Sequence, residues 1–148
     1  MEVIYFDPEL PVREQRGFRD GEAWWINPRD EFGNCQKRLE ISPPTYYGLF
    51  FVGLEEACLY IPGDGMVSDY EEGVIYTEGL KDFSQFLRQA GDALNQELLN
   101  VLCSKQAQPL EKEYRIKIDV HELRASFAEL AEFAEGAREK GYALQLWL

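Results

Sequence analysis

The chain has 148 residues, 45% of them hydrophobic and 14% aromatic, and a formal net charge of −12. That length fits one domain with a real core, and that apolar content excludes a disordered chain despite the charge. The acidity speaks against nucleic-acid binding, which needs a basic footprint, and no apolar run approaches the ~20 residues of a membrane-spanning helix.

The N-terminus, Met1-Glu2-Val3-Ile4-Tyr5-Phe6-Asp7-Pro8, has no basic n-region and no long apolar stretch, so it does not read as a signal peptide. Residues 2–6 form a short apolar strand, stopped by Asp7-Pro8 and Pro11. The only basic island is Arg13, Arg16 and Arg19, interleaved with Glu14 and Asp20. It reads as a solvated loop rather than an anion site. Residues 22–26 give a second strand, ended by Asn27-Pro28. Residues 38–41 give a third, ended by Pro43-Pro44. The block 1–45 is thus loop-rich, with short strands.

Residues 46–52 and 57–61 are the densest apolar runs. Both are short and rich in β-formers, which predicts two strands joined through 53–56. Pro62-Gly63-Asp64-Gly65 is a turn by composition. Residues 73–77 are a further strand, so 46–78 reads as a β-meander.

From Leu80 the period changes. Leu80, Phe83, Leu87, Ala90, Leu94, Leu98 and Val101 recur at steps of three and four, one face of a helix or of two consecutive helices over 79–105. Gly91-Asp92 interrupts the stripe: glycine costs about 1 kcal/mol in a helix interior, and aspartate can cap a second helix. The stripe keeps phase across the gap, which favours one kinked helix.

The last block, 113–148, reads as strand–helix–strand. Tyr114, Ile116 and Ile118 alternate with Glu113, Arg115 and Lys117. Asp119 is placed to cap a helix, with Glu122 three residues on. Val120, Leu123, Phe127, Leu130, Ala134 and Ala137 form the helical stripe, and Gly141 sits where a left-handed residue ends a helix. Residues 142–148 form a last strand, with Tyr142, Leu144, Leu146 and Leu148 on one side and Trp147 on the other. If the two strands lie parallel in one sheet, their connection is a crossover. The expected architecture is a single α+β domain over 1–148. It has a mixed, mostly antiparallel sheet and two helical elements packed on one face.

Motifs of chemistry are sparse. His121, the only histidine, falls in the first turn of a helix, off the apolar stripe, where exposure is the plain reading. Cys35, Cys58 and Cys103 are far apart and lack CxxC spacing, which predicts reduced thiols in a cytoplasmic protein and no zinc site. Nothing resembles GxxxxGK[ST], GxGxxG or GxSxG, so no cofactor is expected.

Charge is the informative feature. Residues 41–104 hold ten carboxylates against Lys81 and Arg88, a net of −8. Such a field attracts cationic partners. The adjacent aromatics Trp24-Trp25 and Tyr46-Tyr47 add a second signal, because neighbours on a strand point to opposite faces. One of each pair then fills the core and the other faces outward, as binding hot spots do. The expected function is a non-catalytic module that docks a basic protein, for example an inhibitor or immunity-type protein covering a cationic toxin or nuclease groove. The residues expected to bind are Asp64, Asp69, Tyr70, Glu71, Glu72, Tyr46, Tyr47 and Trp25. The alternative is a small-ligand protein or a hydrolase-like or cation-dependent enzyme using the same carboxylates. The plainest reading of those carboxylates is a solvated acidic loop. Self-association through the second face of the sheet is a further role open to the chain.

Overall fold

The computed structural model describes residues 1–27, 34–68, 71–106 and 111–148. Strands β1 (Glu2–Tyr5), β2 (Gly21–Ile26) and β3 (Cys35–Ile41) lie where the short β-rich runs predict them. Helix α1 (Pro43–Phe51) starts on Pro43-Pro44, where the missing amide hydrogens cost a first turn nothing. It is separated from the short α2 (Leu54–Cys58) by Gly53, whose φ of 87° favours glycine. A hairpin follows, β4 (Gly63–Gly65) and β5 (Glu72–Ile75), then α3 (Leu80–Ala93), β6 (Leu98–Gln106), β7 (Lys112–Asp119), α4 (Val120–Glu139) and β8 (Ala143–Trp147).

Two expectations about elements are corrected. Residues 46–78 are not a β-meander, since their first half is helical. Tyr46, Tyr47, Gly48 and Leu49 are all buried and the exposed Phe51 is itself apolar, so α1 has no polar face and no amphipathic period. A short run apolar on every side cannot be told from a strand by pattern alone. The helix lies against α4, β6 and β7. Its Gly48 permits that approach, because a β-carbon there would stand 2.4 Å from Leu123 Cδ1.

Nor does a helix run through 79–105. α3 stops at Ala93, and Leu94 is already extended, with φ −70° and ψ 121°. The guanidinium of Arg124, from α4, donates to the carbonyls of Gly91 (2.8 Å) and Leu94, groups that a helix end leaves without partners. Residues 98–106 then pair antiparallel along β7. The phase shared by Leu94, Leu98 and Val101 with α3 is coincidental.

The α+β class, the mainly antiparallel pairing and the C-terminal strand–helix–strand unit are as the sequence predicts. Among the described residues, however, the strands form two sheets. One has the order β1-β7-β6, with β1 parallel to β7; the other is antiparallel, in the order β3-β2-β8-β5-β4. β7 and β8 belong to different sheets, so α4 bridges the sheets rather than crossing over one. It can do so because it is buried on a wide arc: Val120, Leu123, Phe127, Leu130, Ala131, Phe133, Ala134 and Ala137. The Asp119 carboxylate accepts from the amides of His121 (2.8 Å) and Glu122 (3.2 Å), capping the helix as expected. Gly141 takes the expected positive φ, 74°. α3 packs along α4 with Leu80, Phe83 and Leu87. Among the described residues, no helix is long and apolar enough to cross a membrane.

Candidate functional site

The five-stranded sheet has an inner face toward α4 and an outer face that is largely open. Alternation along β2 decides which tryptophan goes where. Trp25 turns inward: its indole N–H donates to the Phe133 carbonyl at 2.8 Å, and its ring rests against Phe133 and Tyr142. Trp24 therefore turns outward. There it meets Trp147 of β8, the two rings stacked 5.6 Å apart and 8° from parallel. Trp147 is 43% exposed.

The strand register surrounds this pair with carboxylates. Across β3, β2, β8 and β5 one row reads Glu40, Glu22, Trp147, Glu72. The next row, extended to β4, reads Arg38, Trp24, Gln145, Val74, Asp64. Arg38 is the one cation in these rows. It reaches Glu40 at 2.9 Å and Glu22 at 3.3 Å. Glu22 also accepts from the Trp24 indole at 2.6 Å, which holds the ring upright beside Trp147. Among the described residues, Glu72 accepts from the Gln145 amide, at 3.4 Å, and Asp64 from its neighbour, the Gly65 amide. Neither is within ion-pair distance of a described Lys or Arg.

Of the other cations in the first forty residues, Arg29 lies outside the described residues, and the described ones stand as follows. Lys37 lies over the Trp25 and Phe133 rings on the inner side. Arg19 donates to the Leu148 carbonyl and stands over Tyr46. Arg13 and Arg16 are exposed near the start of the chain.

Of the residues expected to bind, Asp64 and Glu72 stand on this face, as diagonal neighbours across the β4–β5 hairpin. Glu71 precedes β5, exposed, and its carbonyl accepts the Leu148 amide. Asp69 and Tyr70 lie outside the described residues. Tyr46, Tyr47 and Trp25 are corrected. Tyr46 is 1% exposed and bonds the Leu148 carbonyl; Tyr47 is 9% exposed and accepts from the Arg19 amide. Alternation does not apply to the tyrosines because they sit on a helix, and both go inward. Trp25 is the inward member of its pair. Trp147 was legible from alternation along the last strand, whereas for Trp24 and Trp25 alternation required one outward member without saying which.

The rest of the carboxylate-rich middle is dispersed over α2, both ends of α3 and the hairpin. Among the described residues, no three His, Cys, Asp or Glu side chains converge as metal ligands, and no buried side-chain nitrogen or oxygen lacks a partner. His121 is exposed in the first turn of α4. Burial pushes the thiols of Cys58 and Cys103 up to about 12, which keeps both protonated and poorly nucleophilic at neutral pH. Two grooves flank α2. One, of about 360 Å³, lies between α2 and the β4–β5 hairpin. The other, of about 380 Å³, lies between α1–α2 and β6.

In comparisons with known proteins, the chain matches no family model, no curated protein and no solved structure.

Proposed function

We propose that this protein is a non-catalytic binding module that docks a basic protein on the outer face of its five-stranded sheet. One observation carries the reading. The stacked Trp24–Trp147 pair stands partly exposed in the middle of a surface whose rows hold Glu22, Glu40, Glu72 and Asp64 against Arg38 alone. Large planar side chains lose little conformational freedom on binding and supply the desolvated centre of an interface. The carboxylates around them raise the rate of encounter with a cationic surface and reject acidic ones. An inhibitor or immunity-type role, covering the cationic groove of a toxin or nuclease, is the specific form this reading takes.

The test is capture of basic proteins from native lysate at low salt, run in parallel with wild type, Trp147→Ala and the double variant Glu22→Lys/Glu72→Lys. The expected result is a specific protein retained by wild type, released by salt and lost from both variants. A partner retained equally by all three would remove this face from the interaction.

A further inference from the structure

We infer that the outer face of the five-stranded sheet carries a slot for one arginine side chain of a protein partner. The guanidinium lies on the Trp147 ring and its N–H groups meet the Glu72 carboxylate. This rests on the docking role proposed above and narrows it to one residue that the partner must supply.

Strand register builds the slot. Trp147 on β8 has Glu22 of β2 opposite it on one side and Glu72 of β5 opposite it on the other. Directly opposed side chains share a face, with their β-carbons about 5 Å apart. Trp24 stacks on Trp147 from β2. The strand order β2-β8-β5 therefore turns the other face of the Trp147 indole toward Glu72. Gln145 and Val74, the next opposed pair on that face of the β5–β8 ladder, close the slot at one end.

The two carboxylates beside Trp147 differ in what already holds them. Both oxygens of Glu22 are engaged, one by the Trp24 indole N–H at 2.6 Å and the other by Arg38 at 3.3 Å. Glu72 Oε2 accepts from the Gln145 amide at 3.4 Å, the long end of a hydrogen bond. Among the described residues, Glu72 Oε1 accepts from no donor and faces no Lys or Arg within ion-pair distance. The open acceptor is thus on the β5 side, under the free face of the indole.

The other aromatic rings supply an independent comparison. Lys117 lies 4.5 Å from the centre of the Tyr5 ring, Lys37 5.0 Å from that of Trp25 and Arg19 5.4 Å from that of Tyr46. Trp147 is 43% exposed and has a carboxylate opposite it on each side, yet no described Lys or Arg lies over it. Indole is the ring that attracts cations most strongly. A guanidinium is planar and weakly hydrated, so it can stack on indole while its fork of N–H groups meets a carboxylate. An ammonium is compact and strongly hydrated and cannot do both, which makes the slot one for arginine rather than lysine.

The probes are blocked tripeptides, Gly-Arg-Gly and Gly-Lys-Gly, titrated at low salt into the isotope-labelled protein and followed at the Trp147 indole and Gln145 side-chain N–H resonances. Both should shift, and the arginine peptide should saturate them at a several-fold lower concentration than the lysine peptide. Glu72→Gln keeps the shape of an exposed side chain and should weaken arginine binding several-fold and erase the preference. Trp147→Ala should abolish binding as read at Gln145. Glu129→Gln, an equal loss of charge at an exposed position of α4, should change nothing. Equal saturation by the two peptides, or equal weakening by the two glutamine variants, would overturn the inference. So would a Trp147 indole resonance that moves with protein concentration before peptide is added, which would assign this face to a second copy of the chain. Failure of the slot and failure of the docking role are separable. An arginine preference with no partner captured from lysate keeps the slot and removes the role. A partner retained by Glu72→Gln as by wild type, with no arginine preference, does the reverse.

Discussion

The molecule has two sheets, each with one face turned away from the core, and the two outward faces differ in how their charges are answered. On the three-stranded sheet Glu113 is held by Arg115 at 2.6 Å, Lys117 lies 4.5 Å above the Tyr5 ring, and the Asp119 carboxylate is occupied capping α4. Cations and anions there are matched or already employed. On the five-stranded sheet, among the described residues, a single arginine faces four carboxylates, and the stacked tryptophans stand beside it with Trp147 43% exposed. Both faces follow the same alternation. What separates them is compensation, and uncompensated charge around an exposed aromatic centre is what a docking surface needs.

The sharpest way to break this comparison is to set the inner face of the five-stranded sheet against its outer one. Trp25→Ala should cost about 3 kcal/mol of stability, as for a large aromatic removed from a packed site. Trp24→Ala, on the adjacent residue but the open side, should cost about 1 kcal/mol or less. Urea midpoints at constant slope measure both, and equal losses would mean that the two faces are alike. For binding the order reverses. Trp147→Ala should lower the affinity for the basic partner by about 2 kcal/mol or more, roughly thirtyfold, while barely moving the urea midpoint. Calorimetric titration reads the first quantity.

Next comes Glu72→Lys, which should slow association several-fold at low salt, with the difference fading near ~0.5 M salt as screening shortens. The matched change on the other sheet, Lys117→Glu, should leave the association rate as it was. A smaller effect concerns the thiols. The folded chain holds protons on Cys58 and Cys103 up to about 12, whereas an exposed thiol releases them near 9.0, because burial opposes the thiolate. Their contribution is therefore whole below pH 9.0 and is lost as pH rises toward about 12. Cys58→Ala should flatten that decline in a denaturation series. At pH 8 an alkylating reagent should modify the exposed Cys35 first, as counted by mass spectrometry.

The C-terminal unit was readable almost to the residue. Its helix is amphipathic, its cap is an aspartate followed by a glutamate, and its ending is a glycine at positive φ, all local signals. The stretch 46–106 was not. α1 is apolar all round, so its pattern carries no period; α2 is five residues long; and β6 continues the phase of α3 by chance. The site was half legible. Asp64 and Glu72 could be nominated from charge, and alternation requires one tryptophan of the Trp24-Trp25 pair to face outward. Which one does so depends on α4, whose Phe133 carbonyl and Gly136 backbone receive the Trp25 ring.

By itself, the amino-acid order determined the class of the fold, the strand–helix–strand of the last third and an acidic surplus centred on residues 41–104, because these follow from composition, period and capping, which act between near neighbours. Tertiary structure alone decided that there are two sheets, that both tyrosines of α1 go inward and that Trp24 meets Trp147. It also set Lys37 over the Trp25 ring, brought Arg19 to the Leu148 carbonyl and left Glu72 and Asp64 with no described Lys or Arg within ion-pair distance. Those outcomes depend on strand register and helix placement between residues far apart in the chain, where local pattern has no reach.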